Sequence, residues 1–158
     1  MDYTGILRDF VSQLGRVSGL PGLGLNESGH AAVSFNRAVT IHFQARSEDI
    51  LFYAGLGDLP EDAQLEAACH LLQANFLWKE TNGATLSLTL EGEIVLSQIL
   101  VPDGEIDFPA FQERFAAFAR TAAHWRERVL SLSEPRASEE PADPAEGDGT
   151  MPSFAMRI

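Results

Sequence analysis

Cysteine is almost absent from this chain. Its single thiol, Cys69, cannot close an intrachain disulfide, which excludes a cystine-stapled scaffold and points to a reducing compartment, the cytosol. Positive charge is scarce too. The 11 Lys and Arg stand against 23 Asp and Glu, a formal net charge of -12, so nucleic acid or an anionic membrane surface is repelled rather than bound. No apolar run approaches the ~20 residues of a membrane span, so membrane insertion is not expected, and the opening MDYTGILRDF lacks a basic-then-apolar leader pattern. There is no Gly-x-Ser-x-Gly elbow, no Gly-x-x-x-x-Gly-Lys-Ser/Thr loop and no His-Glu-x-x-His. Gly19, Gly22 and Gly24 lie close together, but Leu20 and Pro21 interrupt them and a strand follows, so the argument for a phosphate cradle fails. His30, His42, His70 and His124 have no second ligand at a metal spacing along the chain. No catalytic, cofactor or metal residue is assigned, and an enzyme is not expected.

What is present fits one folded domain over residues 1–133 and an acidic, disordered tail over 134–158. The tail segment EPRASEEPADPAEGDGT has no periodicity and too little apolar surface to offset its ordering entropy. In the domain, Tyr3, Ile6, Leu7, Phe10, Leu14 and Val17 form the stripe of an amphipathic helix over 2–18. HAAVSFN, AVTIHFQAR and DILFYAGL read as three short strands with tight connections, an antiparallel meander. Asp58 or Asp62 is expected to cap a second helix. That helix is apolar on two sides: Leu65, Ala68, Cys69, Leu72 and Phe76 share one face, and Ala67, Leu71, Ala74 and Trp78 the opposite one. Either both faces are buried in one chain or one meets a second copy; the homodimer is expected. Thr81-Asn82-Gly83 then turns the chain into a hairpin of two strands, Leu86, Leu88 and Leu90 alternating with polar residues. Phe111, Phe115, Phe118, Ala122, Trp125, Val129 and Leu132 step by threes and fours along a third helix opened by Asp107 and Pro109.

The order helix, three strands, helix, two strands, helix resembles the Tir-chaperone family, the dimeric single-effector chaperones of bacterial type III secretion. LLQANF, then Thr81-Asn82-Gly83, then ATLSLTLEGEIVLSQIL is similar to the family's pattern of paired leucines, glycine turn and alternating strand. DFPAFQERFAAFARTAAHWRERV resembles its last helix, and VTIHFQARSEDILFYAGLGDLP its second and third strands. The resemblance covers about residues 2 to 132. It implies an α+β sandwich, α-β-β-β-α-β-β-α, with a curved antiparallel sheet flanked by helices, and a homodimer without nucleotide or metal cofactor. Its partner would be a cognate secreted effector whose N-terminal chaperone-binding segment stays extended, soluble and competent for the export ATPase.

An extended client needs a sheet edge and apolar grooves rather than chemistry. Leu7, Phe10, Val33, Phe35, Ile41, Phe43, Leu51 and Tyr53 are the candidate effector-binding residues. Ala67, Leu71, Ala74, Trp78, Leu86 and Leu88 are the candidate dimer-interface residues. Two other readings stand beside this one: an adaptor or regulatory protein-binding domain of the same fold, and a small-molecule enzyme of unrecognised type.

Overall fold

The computed structural model describes residues 2–102 and 106–132. The expected tail over 134–158 and most of the turn at Pro102-Asp103-Gly104 lie outside the described residues. The first helix, α1 (Tyr3–Val17), starts at Asp2, whose Oδ1 accepts a hydrogen bond from the Gly5 N–H at 2.9 Å, filling one of the orphan donors of a helix start. Its stripe buries Leu7, Phe10, Val11 and Leu14, while Val17, expected on that stripe, is exposed where the helix runs out.

Three strands follow, β1 (His30–Phe35), β2 (Val39–Ala45) and β3 (Ile50–Asp58). After α2 (Gln64–Ala74) come β4 (Thr85–Leu88), β5 (Glu93–Leu100) and the long α3 (Phe108–Leu132). The strands form one antiparallel sheet in the order β1-β2-β3-β5-β4, so β1 and β4 are its two edges. Strand alternation does what a period of two requires. Ile41, Phe43, Ile50, Phe52, Ala54, Leu56, Ile94, Leu96 and Leu100 point to one side and are buried. Leu7 to Leu14 of α1 and Phe111, Phe115, Phe118, Ala122, Trp125 and Val129 of α3 cover them in a single core. Phe52 meets Phe111 edge-on with ring centroids 5.7 Å apart, and Phe43 packs on Phe115 at 5.5 Å. Such pairs contribute about 0.5–1.5 kcal/mol each beyond the area they bury.

Among the described residues no helix covers the other side of the sheet. His30, Ala32, Thr40, His42, Gln44, Leu51, Tyr53, Val95, Ser97 and Ile99 point that way, and each is half-buried or exposed. Near the end of β3 the register slips between Gly55 and Gly57. Gly57 takes φ 126°, and the Glu93 carboxylate lies directly over Gly55, in the space a Cβ would need. A bulge there sharpens the local twist at the end of the sheet.

The second helix departs from expectation in three ways. No side chain caps it: its N-cap is Ala63, after a short 3-10 turn over Glu61–Ala63. It ends at Ala74, well before Trp78, because Leu77 and Trp78 adopt left-handed φ values of 55° and 51°. Its rotation is also the reverse of the expected one. Asn75 donates through Nδ2 to the Leu86 carbonyl and accepts from the Leu86 N–H, both at 2.9 Å. That double bond pins the end of α2 to the edge strand β4, and Ala67, Leu71 and Ala74 turn inward to 0%, 4% and 2% exposure. The face assigned to a second copy is therefore buried within the chain, and Leu86, at 4%, is buried with it.

Candidate functional site

Leu7, Phe10, Ile41 and Phe43, expected to line a groove, are core residues with 0%, 8%, 0% and 0% exposure. Their alternation and stripe are those of the packed layer, so they hold up a surface rather than form one. Val33 and Phe35 are half-buried against the edge of that core. Leu51 and Tyr53 are half-buried on the uncovered side of the sheet.

Among the described residues, two other places concentrate accessible apolar surface. The first is the free edge of β1. A cavity of about 470 Å³ opens between this strand and the loop after α1, lined by Leu20, Pro21 and Leu23 with Ala32, Val33 and Ser34. It touches residues of both strand faces, so it wraps the edge, where backbone groups have a partner strand on one side alone. The sequence signal for this groove was present in Leu20-Pro21-Gly22-Leu23: two leucines beside a proline on a loop short of polar side chains.

The second place is the outer face of α2 and the turn after it. Leu65, Leu72, Phe76, Leu77 and Trp78 are exposed by 80%, 72%, 73%, 61% and 55%. Leu88 is 44% exposed on β4, and Leu90, just past that strand, is fully exposed. Single exposed leucines are ordinary, but this many large apolar side chains in one stretch form a patch of the kind that marks an interface. Of the expected seam residues, Trp78 and Leu88 belong to it. Leu65, Leu72 and Phe76 take the places of Ala67, Leu71 and Ala74.

The polar features are fewer. A cavity of about 280 Å³ is lined by Ser34, Arg37, Thr40, His42, Gly55, Glu93 and Arg126, with the Arg126 Nη1 donating to the Leu56 carbonyl at 3.1 Å. Burial holds the His42 imidazole below the ordinary histidine value; the nearby His30 lowers it further, and the charge of Glu93 opposes both. The net effect favours the neutral form of His42. Among the described residues no group of three or more His, Cys, Asp or Glu side chains is arranged to hold a metal ion. No described helix is long and apolar enough to cross a membrane.

Comparison with known proteins places these surfaces in context. The family model described as the Tir chaperone protein (CesT) family matches residues 7–126. No curated protein matches the chain. Among solved structures, a chain of the ExsC-ExsE complex superposes with a TM-score of 0.69 at 20% identity, over 87% of this chain and 100% of that one. A chain of the heterodimeric ExoU-SpcU complex, from the type III secretion system of Pseudomonas aeruginosa, gives 0.58 at 20% identity, over 79% and 95%. YbjN of E. coli, a proposed transcription regulator, gives 0.59 at 16% identity, over 81% and 91%. At these identities the likeness is one of fold.

Proposed function

The chain belongs to the Tir chaperone (CesT) family, and from that premise we propose that it is a type III secretion chaperone, a homodimer that holds the N-terminal segment of a cognate effector in extended form. The cavity along the β1 edge is the observation that carries this reading. A strand edge offers main-chain donors and acceptors to an extended peptide, and the pocket formed by Leu20, Leu23 and Val33 beside it takes the alternate side chains. Negative charge keeps a protein with sticky grooves soluble and steers a basic client segment towards it.

The exposed face of α2, with Leu88 of β4, is the seam between the two copies. Leu65, Leu72, Phe76 and Trp78 would be removed from water there, each large apolar side chain contributing about 1.5–3 kcal/mol when fully covered. Binding needs no bond-making chemistry, and the effector would pass to the export ATPase still unfolded. The work of such a protein is done in the cytoplasm.

YbjN, a proposed transcription regulator, has a similar fold; the second reading is an adaptor or regulatory domain of that fold that binds a folded partner. The two differ in what the β1 groove holds. Leu20 is 43% exposed, so Leu20→Asp is expected to leave stability within about 0.5 kcal/mol of the parent. In calorimetry it should weaken binding of a synthetic peptide of the client's N-terminal segment roughly tenfold, about 1.4 kcal/mol. Unchanged affinity would move the client away from the β1 edge.

A further inference from the structure

On the uncovered side of the sheet three strands bring together side chains far apart in the chain. Ala32 of β1 faces His42 of β2, which puts His30 one pleat along on the same side, and Tyr53 of β3 lies directly opposite His42. The His30 Nε2 is 3.1 Å from the His42 Nδ1 and 3.3 Å from the Tyr53 Oη. The His30 and His42 rings meet through these nitrogens, with centroids 5.2 Å apart, and the Tyr53 ring stacks on His42 at 4.8 Å.

One imidazole nitrogen carries either one hydrogen or one lone pair. Two polar atoms nevertheless converge on the His30 Nε2, so a single proton or lone pair is divided between two neighbours. A cation would satisfy the convergence. Two imidazole nitrogens bound to one zinc ion at about 2.0–2.1 Å, with a near-tetrahedral angle, stand roughly 3.3 Å apart, close to the spacing seen.

We propose that His30 Nε2 and His42 Nδ1 form a two-histidine site for a late first-row divalent cation, zinc or copper(II), with the Tyr53 hydroxyl hydrogen-bonded to one of the waters that complete the coordination. Neutral imidazole is the ligand these ions favour, and a second-layer hydroxyl that orients a bound water is a common companion. Glu93, lining the same cavity as His42, adds negative charge; Arg37 and Arg126 oppose it, the latter engaged with the Leu56 carbonyl. Bound there, the ion ties the edge strand β1 to β2 and, through Tyr53, to β3. The site is independent of the chaperone reading and of the seam on α2.

The test uses the full chain, stripped with chelator and titrated by calorimetry with zinc alone and with copper(II) alone. One equivalent of at least one ion should bind with a rise in melting temperature, as a ligand selective for the folded state requires. His30→Ala and His42→Ala should each weaken binding at least tenfold and abolish the rise, whereas His70→Ala, at the exposed His70–Glu66 pair (3.9 Å), should change neither. Far-UV circular dichroism checks that the variants fold. In the unaltered chain, the imidazole resonances of His30 and His42 should shift on adding zinc and those of His124 should not. Equal affinity in His42→Ala, unmoved resonances of His30 and His42, or no saturable binding of either ion would overturn the proposal.

Discussion

Leu72→Asp is expected to split the proposed dimer into folded monomers, whereas Leu71→Asp, one position earlier, is expected to unfold the chain. Leu71 is 4% exposed and part of the core; Leu72 is 72% exposed on the outer face of α2. At Leu71 the change removes a packed side chain, worth about 2–5 kcal/mol, and buries a carboxylate without a partner, which costs several more. Against a typical total stability of about 5–15 kcal/mol the fold does not survive. At Leu72 the free monomer barely notices, within about 0.5 kcal/mol. In the dimer each copy would press an unpaired charge into an apolar seam, at about 2–5 kcal/mol, a loss of affinity of roughly 30-fold to several thousand-fold. Light-scattering chromatography should give twice 17.2 kDa for the parent chain and 17.2 kDa for Leu72→Asp, with the same far-UV spectrum. A Leu72→Asp chain that keeps the doubled mass would place the seam elsewhere.

The second large effect lies at Trp125. This indole is 1% exposed, and its Nε1 donates to the Glu80 carbonyl at 3.1 Å. The Arg128 guanidinium lies 4.4 Å from the ring centre and pairs through Nη1 with the Glu80 carboxylate at 2.8 Å. The residue therefore fastens the turn after α2 onto α3 while filling the core beneath it. Trp125→Ala is expected to cost about 3–5 kcal/mol in urea unfolding. Trp125→Phe keeps most of the apolar area and loses the hydrogen bond, leaving the Glu80 carbonyl without that partner, so it should cost roughly 1–3 kcal/mol. A loss below ~1.5 kcal/mol for the alanine variant would mean that the indole is not structural.

Much of this architecture was legible from periodicity, because α3 and β2 each have a single apolar face. Phe111 to Val129 step regularly along α3, and Val39, Ile41 and Phe43 alternate along β2; with one answer available, the pattern gives it. The second helix has two apolar faces, and no pattern says which turns inward. That choice rests on the two hydrogen bonds between Asn75 and the Leu86 backbone, a contact across a turn that propensity does not see. The end of α2 was hidden for a similar reason: Gln73-Ala74-Asn75-Phe76-Leu77-Trp78 holds no glycine or proline, yet Leu77 turns left-handed.

The binding surface was legible only in outline. Hydrophobicity marked Leu7, Phe10, Ile41 and Phe43, but the same property buries them. The residues lining the groove at the edge, Leu20 and Leu23, sit on a loop without periodicity. His30 and His42, separated by 12 positions, became neighbours through the pairing of β1 with β2, which spacing along the chain does not reveal.

The central claim is that the client is held as an extended segment. It is tested most directly by purifying the protein with whatever travels with it, digesting the complex with a nonspecific protease and weighing what survives. If the protein is a chaperone, the folded chaperone and one short piece from the client's N-terminal region survive, the piece protected in the complex and degraded without it. Survival of a folded client domain, with its N-terminal segment cut away, would contradict the account and favour an adaptor of the same fold.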